Sequence, residues 1–487
     1  MNKCNEQRFE QIFELCVYIN LFELLNRVTA KIYAEYGSRC GLNRNRDISS
    51  LLLCNKHLNK ILTTKMIKCA YFSMSGIERF FEKRNFYENN VHKLCIDTSW
   101  SRGPLHVFQK LSCLTIWYDD NLDDLFIRNQ TNRSSRKSSL INLPNITELT
   151  FGYYYRKPIK KNTLPTSITK LTFGVGFNEP IGIDVLPKNL TKLTFGHYFN
   201  QSIQADVLPV NLMELTFGYK FNQPIGADVL PLNLTELTFG KKFNQIIDKD
   251  TLPPNLTKLT FGCNFNQIIE KDVLPINLLE LTFGDNFDPS PIEFSFNEKN
   301  ILPINLTKLT FGKSFCQPLD ETFPINLKVL IFGDNFDQLI EKETLPLNLR
   351  ELTFGYYFDQ PLKKESLPQN LEKLTFGHCF NRQIDRNVLP ISLRELTFGN
   401  NFNQVIKGNI LPKNLTKLKF GYNFNQPINK DTLPINLTTL EFGHMFNNPI
   451  KRDVLPIKLT KLILEESYNK LIEQKQNQEI MIVRKRS

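Results

Sequence analysis

The stretch LPVNLMELTFGYKFNQPI, residues 208–225, decides the fold of this chain. Closely similar stretches recur, and the first Phe of each copy falls at fourteen positions between Phe151 and Phe442. The step between copies is 22 residues, except for one step of 28 that begins at Phe283 and the step of 21 that follows it. A fixed period of this length is typical of a solenoid, in which each unit buries its apolar face only against its neighbours.

The composition and charge exclude several classes of protein. The formal net charge is +11, but much of the Lys lies in the repeats beside Glu, so the charge does not predict a nucleic-acid partner. Seven of the ten Cys lie between Cys4 and Cys113, without a Cys-x-x-Cys pair or a zinc-binding spacing. Neither a signal peptide nor a membrane-length apolar run occurs, so we expect an intracellular, cytoplasmic protein.

Each copy contains one short strand followed by a turn. Alternation predicts that Leu193 and Phe195 point inward and that Lys192 and Thr194 point outward. Such strands should pair in parallel about 4.8 Å apart, in a sheet roughly 65 Å long for the fourteen coils. We interpret Gly196 as the residue that allows a turn in which other residues would be strained.

The residue after the second Phe of each copy carries an acceptor oxygen. It is Asn in nine copies and Asp in three, with exceptions only at Arg156 and Cys316. We expect it to accept a hydrogen bond from a backbone N–H at the bend, so that an internal polar ladder joins the coils. The alternative is that Asn and Asp only mark a solvated turn. The Asn-x-Thr sequons, such as the one at Asn189, are interpreted as by-products of the repeat.

The outward strand row between Glu148 and Thr439 holds six Glu and six Lys. Eight of its ten adjacent charged pairs are opposite in sign, so we expect the row to neutralise itself. Nucleic-acid binding along this face is therefore not expected.

Variation concentrates in the two residues between the Gly and the second Phe. Tyr-rich patches on a rigid scaffold are typical of protein interfaces, although Tyr could also simply cover the rim of the coil. The candidate partner-binding residues are Tyr153, Tyr154, Tyr198, Tyr219, Lys241, Lys242, Tyr356, Tyr357 and Tyr422.

The unit resembles the leucine-rich repeat, Leu-x-x-Leu-x-Leu-x-x-Asn, although Phe195 and Asn200 are five residues apart here instead of three. It resembles more closely the FNIP repeat, named for Phe-Asn-x-Pro-Ile and known from amoebae and their giant viruses. Residues 221–225 carry that motif in full. The resemblance implies a mainly β, leucine-rich-repeat-like solenoid of about 14 regular coils with a parallel sheet, over residues 143–464.

The N-terminal segment has a different pattern. Helical spacing over 7–36 and 47–72 predicts a small α-helical domain within residues 1–75. Residues 47–62 resemble the second half of an F-box, the module that docks on the adaptor of a cullin-RING ubiquitin ligase, but the usual Leu-Pro opening is missing. The alternative is a plain helical cap. The resemblance implies adaptor contacts by Leu51, Leu52, Leu53, Leu58 and Ile61.

Two further segments are predicted to close the array. Residues 76–142 look like degenerate capping repeats and a polar loop, while residues 465–487 should form a C-terminal cap and tail, as a helix or a frayed end. Arg484–Arg486 is interpreted as part of a solvated tail.

The leading functional hypothesis is a non-catalytic, monomeric protein that recruits substrates to a cullin-RING ligase, in the host cytoplasm if the protein is viral. The alternative is a stand-alone scaffold or decoy that binds a host protein. Gly-x-Ser-x-Gly, phosphate-loop and His-Glu-x-x-His motifs are absent from the sequence. Enzymatic activity, a cofactor and a metal are therefore not expected.

Overall fold

The computed structural model describes residues 69–72, 93–96, 111–116, 145–289, 301–319, 323–473 and 479–486. The chain divides into two compact units, residues 1–146 and 147–487. In the first unit, β1 (Cys69–Phe72), β2 (Lys93–Ile96) and β3 (Cys113–Ile116) pair in parallel in that order. Strands β2 and β3 lie in the segment where the sequence predicts degenerate coils.

Strand β1 corrects the helical prediction over 47–72. Its four residues pair in parallel register with β2, from Cys69 opposite Lys93 to Phe72 opposite Ile96. Pairing with a neighbouring strand overrides a local helical period, so the helix prediction is wrong at 69–72. The rest of the predicted helical domain, including all five predicted adaptor residues, lies outside the described residues.

The second unit contains sixteen strands within its described residues, and each pairs in parallel with the next along the chain. They are β4 (Glu148–Phe151), β5 (Lys170–Thr172), β6 (Lys192–Thr194), β7 (Glu214–Thr216), β8 (Glu236–Thr238), β9 (Lys258–Thr260), β10 (Glu280–Thr282), β11 (Lys308–Thr310), β12 (Val329–Ile331), β13 (Glu351–Thr353), β14 (Lys373–Thr375), β15 (Glu395–Thr397), β16 (Lys417–Lys419), β17 (Thr439–Glu441), β18 (Lys461–Glu465) and β19 (Met481–Lys485). The register holds across the step of 28, where Glu280 lies opposite Lys308.

The core is made of columns of equivalent side chains. Leu193 and Phe199 are fully buried and Phe195 nearly so, whereas Lys192 is exposed, as the alternation predicts. The first-Phe rings stack on one another from coil to coil, with centroids 5.5 Å apart between Phe195 and Phe217. Within a coil the first and second Phe also stack, at 3.9 Å between Phe195 and Phe199. Burial of each ring contributes roughly 1.5–3 kcal/mol.

The Gly that follows each strand is required by contact between coils. A Cβ on Gly240 would lie 1.6 Å from the carbonyl oxygen of Gly218, and the same overlap recurs at the equivalent Gly of each described coil from Gly174 to Gly443. None of these Gly has a φ in the left-handed region, between +20° and +160°, so the predicted reason, a turn strained for other residues, is wrong. The physical reason is the close approach of two backbones, which leaves no room for a methyl group.

The Asn ladder is confirmed, and its details follow the sequence. The N–H of Asn222 donates to Asn200 Oδ1 at 2.8 Å, and eleven such bonds join successive described coils. The ladder lacks a bond where the acceptor would be Arg156 or Cys316. Its members are half-buried or exposed, so the ladder lies at the surface and the expectation of an internal one is wrong.

The sequence analysis missed a second ladder. In the turn Pro-x-Asn-Leu, the Asn side chain donates to the carbonyl of residue x in the preceding coil, as from Asn189 Nδ2 to Thr166 O at 3.1 Å. The same bond is found for ten further Asn residues, down to Asn436. Six of the eleven are sequon residues, so their Nδ2 atoms have a structural role that the by-product interpretation overlooked.

The variable positions before each Leu-Pro contain a turn in the left-handed region. Eleven non-Gly residues there have φ between 60° and 69°, and nine of them are Asp or Asn. Short side chains of this kind tolerate the left-handed conformation better than others. The residues are Asn162, Asp184, Asp206, Asp228, Asp250, Asp272, Glu343, Glu365, Asn387, Asn409 and Asp431.

The C-terminal segment extends the array. Because β19 pairs in parallel with β18, the prediction of a helix or a frayed end is wrong for residues 481–485. Tyr468 takes the next place in the second-Phe column, with its ring 5.9 Å from that of Phe446. Arg484 Nη1 donates to the Tyr468 carbonyl at 2.9 Å, so this residue is not part of a solvated tail.

We predict that Gly240→Ala destabilises the array by about 3 kcal/mol, the upper end of the usual cost of overpacking, because the methyl group must push two coils apart. Gly226→Ala is the matched control, since its nearest new contact would be Val229 Cγ2 at 3.9 Å. Thermal unfolding followed by circular dichroism compares the two variants. Equal melting temperatures would contradict the proposed role of the close approach.

We predict that Asn222→Ala speeds hydrogen exchange at the Asn244 amide about tenfold, because that N–H loses its acceptor at 2.8 Å. Asn222→Asp keeps an acceptor oxygen and should leave the rate nearly unchanged. Exchange monitored by mass spectrometry or NMR measures the effect locally, which matters because long repeat arrays need not unfold as one unit. The ladder has no such role if both variants exchange alike.

Candidate protein-interaction surface

Two exposed rows lie at the two ends of the strands, one where the strands begin and one where they end. We call these two lines of strand ends the edges of the sheet. The turn Pro-x-Asn-Leu precedes each strand, and the turn Gly-x-x-Phe follows it. Because the strands are parallel and in register, the first turns form one edge of the array and the second turns form the other. The candidate residues from the sequence lie in the Gly-x-x-Phe turns, whose two x residues we call the rim.

The backbone of the rim is fixed by hydrogen bonds. In all but one of the described Gly-x-x-Phe turns the Phe N–H donates to the Gly carbonyl, as from Phe221 to Gly218 at 3.2 Å; the turn that ends at Phe380 lacks this bond. Between turns, the second rim residue donates to the first rim residue of the preceding coil, as from Lys242 N to Tyr219 O at 2.9 Å. The rim therefore presents its side chains from a rigid base, which lowers the entropy lost when a partner binds.

Four predicted residues form the first rim cluster. The Tyr219 ring stacks on His197 at 4.6 Å, and His197 meets Tyr198 edge to face at 4.7 Å. Lys241 Nζ lies 5.8 Å from the centre of the Tyr219 ring, within the range of a cation–π contact. Lys242 is exposed in the same turn. This cluster offers aromatic area together with positive charge.

A second rim cluster lies six coils further on, about 29 Å away at the spacing of a parallel sheet. Tyr356 stacks on His378 at 4.4 Å and meets Tyr357 edge to face at 4.8 Å. Two coils beyond, Tyr422 stacks on His444 at 4.9 Å.

A side-chain amide joins the two parts of this second cluster. Asn400 Nδ2 lies 3.1 Å from His378 Nδ1, while Asn400 Oδ1 accepts from the Tyr422 N–H at 3.4 Å. Neither His378 nor Asn400 is among the candidate residues from the sequence. Four aromatic residues and one Asn in five consecutive copies of one repeat position were the available signal.

The predicted rim is therefore two clusters and an outlying pair. Tyr153 and Tyr154 meet edge to face at 4.9 Å, two coils before the first cluster. Between the clusters, the rim positions from Cys263 to Asn335 carry no aromatic side chain. Tyr154, Tyr198 and Tyr357 are each about half exposed, at 50%, 47% and 54%, so much of their area faces solvent.

The outward strand row neutralises itself, as predicted. Five neighbouring pairs form ion pairs, among them Lys170 with Glu148 at 2.9 Å and Lys258 with Glu236 at 3.8 Å. Each exposed pair contributes little to stability, typically under about 1 kcal/mol. The described part of this face carries no stripe of one sign along which a polyanion could lie.

A charged group at the C-terminal end of the sheet is partly buried. Glu441 lies between Lys419, at 3.1 Å, and Lys485, at 2.5 Å. Burial acts to raise the pKa of Glu441, but hydrogen bonds and charges from these two lysines outweigh it, so the pKa lies below its ordinary value of 4.5. Lys485 belongs to β19, so this contact helps to hold the last strand.

The groups that could carry chemistry are dispersed. Within the described ranges, no three His, Cys, Asp or Glu side chains meet in a group that could hold a metal ion. Burial, followed by the Asp288 carboxylate, raises the pKa of the Cys316 thiol, which disfavours the reactive thiolate. No helix within the same ranges has the length and apolarity that a membrane crossing requires.

The opposite edge carries a feature that the sequence analysis missed. Residue x of Pro-x-Asn-Leu is aliphatic or Pro in seven consecutive coils, and all seven side chains are exposed. We call this set the aliphatic ridge. It consists of Val210, Leu232, Pro254, Ile276, Ile304, Ile325 and Leu347. The signal in the sequence was that large aliphatic residues recur at one repeat position. A consensus that writes this position as x does not show it.

Comparison with protein families identifies the repeat. The family described as FNIP Repeat matches nine segments, which together span more than half of the chain. The segments are residues 142–176, 177–220, 199–242, 221–264, 243–286, 265–296, 317–357, 358–401 and 402–444. A search of curated proteins gives no match.

Solved structures also resemble the chain. The crystal structure of CroV588, described as a novel circular LRR protein, is 31% identical, with a TM-score of 0.55 over 87% of this chain and 80% of that chain. An internalin, InlF, from Listeria monocytogenes is 16% identical, with a TM-score of 0.32 over 73% of this chain and 90% of that one. The functional domain of InlJ from the same organism is 17% identical, with a TM-score of 0.35 over 76% and 79%.

We predict that the C-terminal strand loosens in acid through Glu441. A carboxylate with a lowered folded pKa stabilises the fold fully above its unfolded value, and this contribution is lost as pH falls through the folded pKa. Exchange protection factors of residues 481–485 should therefore fall as pH drops below about 4.5. Glu441→Gln should lower protection already at pH 6 and weaken the pH dependence.

Glu466→Gln is the control for this prediction. Glu466 pairs with Arg486 at 3.0 Å, but both side chains are more than half exposed, so the change should have little effect. Similar protection for Glu441→Gln and the wild type across this pH range would disprove the role of Glu441.

Proposed function

Because the chain belongs to the FNIP repeat family, we propose that it is a non-catalytic protein that binds another protein on the rim of its solenoid. One observation carries the proposal: the exposed aromatic side chains of the rim stand on a backbone fixed by hydrogen bonds in every coil. Aromatic side chains supply contact area at low entropic cost, and they dominate the binding energy of many interfaces.

The second cluster is the preferred contact site within the rim. Its side chains form a row along the rim. Stacking or hydrogen bonds link Tyr356, His378, Asn400, Tyr422 and His444 in that order. A partner that covers this row would bury several rings that are already held in place. The first cluster, with Lys241 and Lys242, offers a second contact to a partner with acidic groups.

The further role that we propose is recruitment of the bound protein to a cullin-RING ubiquitin ligase. In this proposal Leu51, Leu52, Leu53, Leu58 and Ile61 contact the ligase adaptor. Its support is the resemblance of residues 47–62 to half of an F-box. The alternative is a monomeric scaffold or decoy that binds its target without a ligase, and the self-contained solenoid is consistent with that role.

We predict that the two activities separate by mutation. The tagged full-length chain, expressed in amoebal cells, should recover a target protein together with cullin and its adaptor. The double variant Tyr356→Ser with Tyr422→Ser should lose the target but keep cullin. The two tyrosines are 42% and 48% exposed, and each substitution removes a ring that a partner would cover. Leu51→Lys with Leu58→Lys should lose cullin and its adaptor but keep the target.

Leu471→Ser controls for loss of exposed apolar area, since Leu471 is 65% exposed and lies off the rim. Quantitative mass spectrometry of the recovered proteins distinguishes the outcomes. Recovery of a target without cullin from the wild-type chain would reject the ligase role and favour the scaffold. A target retained by the rim variant would reject the rim as the binding site.

A further inference from the structure

The aliphatic ridge is unusual because it leaves large apolar side chains in water along a continuous line. Val210, Leu232, Ile276 and Leu347 are 64%, 65%, 64% and 62% exposed. The seven coils are separated by six steps of about 4.8 Å, so the ridge is about 29 Å long. Continuous apolar surface of this kind marks an interaction site far more often than isolated apolar residues do.

The fold does not require aliphatic side chains at this position. Thr166, Lys188 and Lys413 occupy it in other coils, and their carbonyls accept the same Asn hydrogen bond, at 3.1, 2.9 and 2.9 Å. The turn therefore forms equally well with a polar residue. The aliphatic residues of the ridge contribute nothing to the turn that a polar residue would lack.

The ridge is also rigid. The carbonyl of each ridge residue accepts a hydrogen bond from the Asn of the next coil, at 2.9–3.0 Å in all seven cases. The side chains are consequently presented at a fixed spacing. A partner that binds there loses little of the entropy that a flexible surface would cost.

Positive charge lies beside one end of the ridge. A shallow groove is lined by Asn326, Lys328, Asn348, Arg350 and Asn370. Arg350 pairs with Glu372, whereas Lys328 has no carboxylate within ion-pair distance among the described residues. This charge differs from the strand row, where neighbouring Lys and Glu neutralise one another. Near Ile304, Ile325 and Leu347 the surface is therefore both apolar and basic.

We propose that the aliphatic ridge and this basic groove bind a segment of a partner protein that carries aliphatic side chains next to Asp or Glu. The aliphatic side chains cover the ridge, and a carboxylate enters the groove beside Lys328. The surface is separate from the rim, since the two lie along opposite edges of the sheet. The protein thus has two binding surfaces, and a partner on one leaves the other free.

A displayed library of 12-residue peptides, selected against the immobilised full-length chain, tests the proposal. Selected peptides should be enriched in Leu, Ile or Val together with Asp or Glu. A synthetic peptide of the selected sequence should bind about tenfold more weakly to Ile304→Lys with Ile325→Lys. Lys328→Glu should also weaken binding severalfold, and added salt should weaken it in the wild type.

Matched variants keep the test interpretable. Ile457→Lys changes the same repeat position outside the ridge, and Tyr356→Ser with Tyr422→Ser changes the rim, so both should keep full affinity. Lys is tolerated at this position in the native Lys188 and Lys413 turns, and circular dichroism verifies the fold of each variant. Should a Lys variant unfold, Ile325→Gln replaces it, because Gln369 occupies the position natively.

Three outcomes would overturn the proposal. One is that no peptide is enriched, or that the enriched peptides lack aliphatic and acidic residues. Another is equal affinity of the wild type and the ridge variants for the selected peptide. The third is self-association of the wild-type chain in analytical ultracentrifugation that Ile325→Lys abolishes, which would assign the ridge to a second copy.

Discussion

Stacking in register at the spacing of a parallel sheet is the constraint on which this structure depends. It places every side chain directly beside its equivalents in the two neighbouring coils, so a position whose side chains contact one another must be occupied by a residue that packs against itself. Phe satisfies this condition by ring stacking, and Leu by close packing. Gly satisfies it where two backbones approach so closely that a Cβ on Gly240 would overlap the Gly218 carbonyl. The polar positions follow the same rule in different ways. Asn carries both a donor and an acceptor, so it can link coil to coil indefinitely. Lys and Glu cannot stack on themselves without repulsion, and in the outward row eight of the ten adjacent charged pairs are opposite in sign.

The same constraint explains the ends. An interior coil is satisfied by two neighbours, whereas the last copy of each column needs another partner for its exposed side. Among the described residues, Tyr155 is the first member of the second-Phe column and Tyr468 the last, each stacked on the adjacent Phe at 6.2 or 5.9 Å. The Tyr468 hydroxyl donates to the carbonyl of Asn448 at 3.0 Å, which a Phe at this place could not do. Strand β19 is the last described strand of the sheet, and its Lys485 donates to Glu441. Where the Asn ladder meets Cys316, whose sulfur is a poor acceptor, Gln338 Nε2 instead donates to the Cys316 carbonyl at 2.9 Å.

The features that could be predicted from the sequence are those set by residues that recur every 22 positions. Strand positions, the inward Leu and Phe, the Asn ladder and the neutral outward row all follow from which residues recur. Features that depend on backbone geometry were harder to predict. Asp and Glu at φ near 60–69° were hidden among variable positions, and the sequence gives no distance between Gly218 and Gly240. Residues such as Asn189 recur as clearly as the ladder Asn, but the sequon pattern suggested a different explanation. At Cys69–Phe72 a helical period was overridden by pairing with another strand. For the candidate site, the sequence identified the rim positions but not their division into two clusters, which depends on the rings that stack across coils.

In a repeat array, the residue type at some positions is fixed by stacking between coils, and those positions indicate the fold. Where stacking does not fix the residue type, the residues found can indicate a binding surface. The rim and the x of Pro-x-Asn-Leu are both free in this sense. Tyr, Lys, Asp and Asn all occupy the rim without altering the backbone bonds beneath them, and Thr, Lys, Gln or an aliphatic residue occupies the other position. Random drift at such solvent-exposed positions would favour polar residues, since an exposed aliphatic side chain gains nothing in the folded monomer. Runs of aromatic residues at one free position and of aliphatic residues at the other therefore need a cause outside the array. The contacts with other proteins that we propose at the two edges of the sheet would supply that cause, because each run lies where the backbone is already held and only the side chains remain to be covered.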